Sequence, residues 1–379
     1  MPSSDQKNQP SWRLQTDDHE IAWLWLDAPE SSVNSLNQQI LESLGAQLDK
    51  LQQAPPKGLI IASDKAAGFV AGADVKSIAG VIDRAQALAF MTLAHEVFLK
   101  LAEFPVPTCA RIHGHCLGGG LEMALACRYR VAEDAPSTRL GFPEVMLGIH
   151  PGFGGVARSI RLLGAPSAMA LMLSGRQISA SRARRIGLVD QIVPHRHLDR
   201  VTRQCLLSNR PLQVPGFLPA LADKPVFRHV TATYLRHQLS LRHLQAKHYP
   251  APYALIDIWS RHGAANDSLF DAERSSVADL VMGDSAQNLL RLFLLQQRLK
   301  GLADKAPANI RFSHVHVIGA GVMGGDIAAW CALQGMQVTL QDMSEQVIGR
   351  ALARARQLAM KKLHKTHLVT AFMDRLQPD

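Results

Sequence analysis

Three consecutive glycines, Gly118 to Gly120, followed at once by Leu121 and Glu122, are the stretch of this 379-residue chain best suited to chemistry. Glycine offers no packing surface and costs backbone entropy, so a run of it marks a place where the backbone itself must approach something. The run follows a strand-like segment, residues 106–112, and precedes a helix-prone one, residues 121–127, rich in Ala, Leu and Met. A glycine turn between strand and helix leaves backbone N–H groups without helical partners, at the positive end of the helix dipole. Such a turn is an anion site, suited to an oxygen that gains charge during a reaction. Glu122 falls in the first turn beside those amides, where it is either a proton-handling group or an ordinary capping carboxylate.

Positioning such a turn takes strands that end at it and helices that leave it. Residues 23–26 read as a strand, after which Ser35 or Asn37 caps an amphipathic helix carrying Ile40, Leu41, Leu44, Leu48 and Leu51. Residues 58–62 are a continuous apolar run, as a strand buried on both faces requires. They lead into Gly68-Phe69-Val70-Ala71-Gly72-Ala73-Asp74-Val75-Lys76, a second small-residue loop between strand and helix. Beyond the glycine turn, residues 129–132 are a short strand, and Pro143-Glu144-Val145 opens a loop dense in turn residues that runs to Gly155. Three helices and a further short strand follow up to Val193. Strands alternating with helices predict an α/β domain with parallel pairing. Residues 205–267, rich in Pro, His and Arg, read as a connector with some helix, and residues 275–300 as a strong helix.

Bulk properties narrow the classes. The length favours two domains, and 47% hydrophobic against 19% charged residues describes a packed globular chain. No apolar run is long enough to span a bilayer, and the polar start, residues 1–10, lacks a signal-peptide core, so no transmembrane segment and a cytoplasmic location are expected. The five cysteines form no Cys-x-x-Cys pair, and His113 and His115 gain no further ligands, so no metal is expected. The net charge of +9 is scattered without an aromatic-interleaved stripe. No nucleic-acid partner is expected, while a handle for a phosphate-bearing cofactor stays compatible.

A second unit opens after Pro307. Gly319-Ala320-Gly321-Val322-Met323-Gly324 follows the strand 314–318 and opens a helix, and the strand 337–341 ends in Asp342. Strand, glycines, helix, strand and terminal acid together form a dinucleotide fingerprint. In it Gly319, Gly321, Met323 and Gly324 admit the pyrophosphate at the helix N-terminus, and Asp342 takes ribose hydroxyls, favouring NAD over NADP. Asp326 adds a carboxylate to the first turn of that helix, an unfavourable neighbour for a pyrophosphate.

Jointly, residues 69–74, 113–122 and 143–152 resemble, in order and spacing, the crotonase (enoyl-CoA hydratase/isomerase) superfamily. With the unit after Pro307, the chain resembles the amino-terminal part of the multifunctional fatty-acid oxidation complex α-subunit family. The resemblance implies a crotonase-like ββα spiral domain, a helical linker, then a Rossmann βαβ unit truncated within the dehydrogenase half. The corresponding boundaries are 1–204 for the hydratase domain, 205–310 for the connector and helix completing it, and 311–379 for the partial NAD-binding domain. The implied activity is a lyase reaction, hydration of enoyl-CoA in β-oxidation, with isomerisation of 3-enoyl to 2-enoyl thioesters open to the same groups. By resemblance the amides of Ala73 and Gly119 stabilise the enolate oxygen, Glu144 is the acid toward the α-carbon, and Glu122 is the base that positions water. Lys76 is either a contact of the coenzyme A phosphates or a solvated helix lysine. The family's dehydrogenase His and Glu have no match here, so NAD-dependent oxidoreductase turnover is not expected. The longer family also implies a 3-ketoacyl-CoA thiolase partner. The alternative is a non-catalytic fragment that binds acyl-CoA and NAD.

Overall fold

The computed structural model describes residues 11–379 apart from 30, 209–210, 212–213, 217–218, 220, 242–243 and 304–311. It contains two compact units, one running to Arg298 and the other from Leu299 to Asp379.

In the first unit β1 (Trp12–Thr16) pairs antiparallel with β2 (Ile21–Leu26), and the sheet continues in parallel through β3 (Gly58–Ser63), β4 (Thr108–Ile112), β6 (Tyr129–Glu133) and β9 (Gln191–Val193). Period-two alternation decides what each face meets. Leu24, Leu59, Ile61, Ala110 and Ile112 enter the main core, whereas Trp23, Ile60, Ala62, Cys109 and Val131 face a smaller cluster under the helix Leu198–Leu207. Both faces are therefore covered, which explains the unbroken apolar text of β3. A second, smaller sheet holds β5 (His115–Leu117), β7 (Arg139–Gly141) and β8 (Ile178–Ser179). The chain visits one sheet and then the other (β4 then β5, β6 then β7), the ββα spiral expected.

Helices fill the returns. Asn37, not Ser35, caps α1 (Gln38–Gln53), its side-chain oxygen accepting from the Ile40 amide at 2.9 Å. Asp74 caps α2 (Val75–Ala79), and Asp83 caps α3 (Arg84–Ala102). All eight residues of α4 (Gly119–Ala126) are buried, and α5 (Gly155–Leu163) follows the long turn-rich loop.

The segment read as a connector is largely helical. Helices Pro225–Leu241 and Pro250–His262 fall within it; the stretch 275–300, expected as one helix, is shared between Ser268–Val281 and Asp284–Ala303, and Leu255, Trp259, Leu269, Val277 and Leu290 sit in the main core. Pro225 and Pro250 open helices because the first turn needs no amide donor there. The helix Leu198–Leu207 runs across the expected 204/205 boundary, with Leu198, Val201 and Cys205 packed on the sheet. The expected 310/311 boundary lies outside the described residues.

In the second unit β10 (His314–Ile318), β11 (Gln337–Gln341) and β12 (Leu376–Pro378) form a parallel sheet in that order. The sequence suggested only the first two strands. Leu-Gln-Pro carries no strand signal, and Pro378 is tolerated because β12 is an edge. Ala328, Val338, Leu340, Ile348, Ala355 and Phe372 make this unit's core. Among the described residues no helix is long and apolar enough to cross a membrane.

Candidate active site

Asn34 fixes the first small-residue loop. It is 1% exposed, and its side chain donates to the Leu26 carbonyl, the Ser63 hydroxyl and the Phe69 carbonyl while accepting from the Ala28 amide. Its carbonyl accepts from the Ala71 amide at 2.8 Å. The Leu36 amide donates to the Gly72 carbonyl and the Asp74 amide to the Leu36 carbonyl, each at 2.8 Å. These bonds bracket Ala73, whose own amide donates to no acceptor among the described residues.

The glycine turn lies against that loop. A Cβ at Gly72 would come within 4.0 Å of the Gly119 nitrogen. Gly118 adopts φ 50°, ψ −128°, a conformation a side chain disfavours, and a Cβ there would fall 2.8 Å from Glu144 Oε1. No side chain caps α4, and the Gly119 amide, like that of Ala73, donates to no acceptor among the described residues. Two free donors thus meet at one helix N-terminus. A Cβ on Gly119 itself would strike the ring of Phe153, which lines the same cavity, at 2.9 Å.

Glu122 is 2% exposed, and it caps nothing in its own helix. Its Oε1 accepts from the amides of Phe153 and Gly155, each at 2.8 Å. Burial pushes this carboxyl up to about 7, against the pull of those amides and of the Arg158 guanidinium. Glu144 stands at the start of a short 3-10 turn (Glu144–Leu147), with both carboxylate oxygens shielded from solvent and unbonded among the described residues. Burial, then the Glu122 charge, holds its carboxyl well above the usual range. Two buried carboxyls lining one cavity, both raised in pKa by burial and one further raised by the charge of the other, are suited to passing protons.

Ala73, Gly118, Gly119, Glu122 and Glu144 line one cavity of about 540 Å³. Its far wall is apolar and includes Met91, Val277, Leu289 and Phe293, the last three from the stretch 275–300 expected to be helical. His150 reaches the cavity, whereas Val156 and Ala157, at the start of α5, are fully buried in the core. Lys76 lies on the exposed first turn of α2 and does not line the cavity. Asn34 and Glu273 went unnoticed in the sequence. Asn34 had no signal there, while Glu273 had one, a carboxylate on the stripe Leu269, Glu273, Val277, Val281 that is otherwise apolar.

In the second unit the turn after β10 has Gly319 at φ 97°, and a Cβ on Gly319 or Gly321 would meet only open space. Gly324 is tight, its Cβ position overlapping the Gly319 carbonyl. Met323 is 78% exposed on the first turn of the helix Val322–Leu333. Asp342 accepts from the Ala320 amide at 2.7 Å and the Ser344 amide at 3.1 Å, bonds that lower its pKa. Each of its oxygens keeps a lone pair for a ribose hydroxyl, so the residues fit a dinucleotide.

Residues 16–225 match the family model described as enoyl-CoA hydratase/isomerase, and residues 314–378 that of the 3-hydroxyacyl-CoA dehydrogenase NAD binding domain. The chain is 34% identical over 379 residues to the fatty acid oxidation complex subunit alpha of Shewanella amazonensis, covering 97% of this chain and 53% of the relative. It is 35% identical over 348 residues to the same subunit of Aliivibrio fischeri, covering 89% and 50%. The chain thus spans about half the length of the curated relatives it matches. Among solved structures, a carnitinyl-CoA dehydratase from Mycobacterium thermoresistibile aligns with TM-score 0.59 at 20% identity, covering 79% of this chain and 95% of that one. Human mitochondrial delta3-delta2-enoyl-CoA isomerase aligns with TM-score 0.57 at 22% identity, covering 76% and 99%. These likenesses establish the crotonase fold.

Proposed function

The chain belongs to the enoyl-CoA hydratase/isomerase family, and from that premise we propose that its first unit adds water across the 2,3 double bond of enoyl-CoA thioesters in fatty-acid β-oxidation. The observation behind the reading is the pairing, around one cavity, of two shielded carboxyls with two unengaged amides. In this reading the thioester carbonyl oxygen sits between the Ala73 and Gly119 amides, which bind it more strongly as it becomes an enolate. Ionised Glu122 takes a proton from water as the oxygen attacks C3. Protonated Glu144 delivers its proton to C2, so water's elements are added and each carboxyl changes state once. A proton passing from Glu122 to Glu144 restores the starting state.

The second unit is read as an NAD site, in which Gly319, Gly321 and Gly324 admit the pyrophosphate and Asp342 holds the ribose. NAD, when bound, supplies a hydride acceptor; this chain's residues orient it. A cytoplasmic location and a 3-ketoacyl-CoA thiolase partner extend the proposal by resemblance to the longer relatives. The test is purified protein with crotonyl-CoA, followed by loss of the enoyl thioester absorbance. Hydration in the parent chain is expected; a folded protein without hydration contradicts the reading.

A further inference from the structure

The tripeptide Phe153-Gly154-Gly155 is strung between two buried glutamates. Its first and third amides donate to Glu122 Oε1, and its middle amide donates to Glu273 Oε1, all at 2.8 Å. Glu273 lies on the helix Ser268–Val281, is fully buried, and keeps Oε2 unbonded among the described residues. Three residues on, on the same helix face, Ser276 meets His150 at the other end of the loop, with Oγ 2.8 Å from Nε2. His150 Nδ1 lies 2.8 Å from the Pro151 carbonyl, so Nδ1 carries the proton and Nε2 accepts from the serine hydroxyl. Burial keeps this imidazole neutral, its pKa down at about 4. Between the two attachments Val277 packs on the loop, where a Cβ at Gly152 would lie 3.1 Å from it.

We infer that Glu273 and Ser276 are positioning residues that clamp the loop 150–155 so that the Phe153 and Gly155 amides hold the Glu122 carboxylate in its working orientation. This rests on the hydratase reading of Glu122. The clamp works through reach and acceptor oxygen, since burial, which raises the pKa of the Glu273 carboxyl, disfavours a charge there. A carboxamide of equal length replaces it; a shorter carboxylate does not. Small displacements of a reacting group are expensive, about 10²-fold for 1 Å.

The test compares Glu273→Gln with Glu273→Asp in crotonyl-CoA hydration, with amide exchange of a peptide covering residues 150–156. Glu273→Asp, about one methylene short, is expected to lower kcat by roughly tenfold or more, leave KM within about threefold, and speed exchange at the loop amides. Glu273→Gln is expected to keep kcat within about threefold of the parent and exchange unchanged. An active Asp variant with an inactive Gln variant would show that charge is what matters, and would overturn the clamp. If Glu273→Asp does not fold, Ser276→Ala serves: kcat lower by about threefold or more at unchanged KM supports the clamp, and unchanged kcat overturns it. A parent chain without hydratase activity defeats the functional reading alone. Exchange in the Asp variant still decides the clamp, unaltered loop protection counting against it.

Discussion

Replacing Glu122 by Gln removes a titrating group from the interior while leaving an acceptor for the Phe153 and Gly155 amides. Burial raises this carboxyl from 4.5 to about 7 in the folded protein. A group raised on folding contributes stability that is fully present below the unfolded pKa and is lost as pH rises through the folded one. The protonated form is the well-accommodated one, and each step upward in pH favours the unfolded chain, where the carboxylate is hydrated. With these two pKa values the loss is about 0.8 kcal/mol at pH 5 and about 3.4 kcal/mol at pH 8. Glu144 and Glu273 are pushed the same way by burial and by the Glu122 charge, so removing that charge eases their ionisation and adds to the effect. Urea unfolding followed by tryptophan fluorescence reads it out, since Trp12, Trp23, Trp25 and Trp259 lie in the first unit. Relative to the parent, Glu122→Gln should gain about 2.5 kcal/mol between pH 5 and pH 8. A variant whose stability difference is flat across that range, or falls as pH rises, refutes a buried, upward-shifted Glu122.

Two further outcomes are expected. Gly118→Ala places a methyl at φ 50° against Glu144 Oε1, adding backbone strain of about 1–3 kcal/mol; kcat should fall by at least about tenfold, and unimpaired turnover would remove this turn from the site. Asp342→Ala frees the Ala320 amide and removes the ribose acceptor, so NAD titration should show affinity weaker by roughly tenfold while hydration is unaffected; equal affinity would move the nucleotide elsewhere.

The fold was legible wherever local chemistry is forced. Small-residue loops can only be where backbone approaches backbone, so the segments bearing Ala73, Gly119 and Glu144 stood out, and the structure gathers them at one cavity. β3 was legible because a strand with two covered faces has no polar alternation to disguise it. What stayed hidden depends on distance along the chain. Asn34 looks like any turn residue until its side chain meets Leu26, Ser63 and Phe69. The segment 205–267 looks like a linker because its prolines open helices and its apolar residues are spread over more than one of them. Leu289 and Phe293 become a cavity wall only once the helix Asp284–Ala303 has packed. β12 was missed because three residues ending in proline have no periodicity to read.

The central claim, that Glu144 and Glu122 together move the protons of hydration, is tested most directly by crotonyl-CoA turnover in Glu144→Gln and Glu122→Gln beside the parent. Substrate-analogue binding is measured on the same samples. Each carboxamide keeps the shape and loses the proton transfer, so kcat should fall by roughly 10²-fold or more in each variant, with binding changed by less than about fivefold. Near-parent turnover in either variant, with binding intact, would contradict the role given to that glutamate.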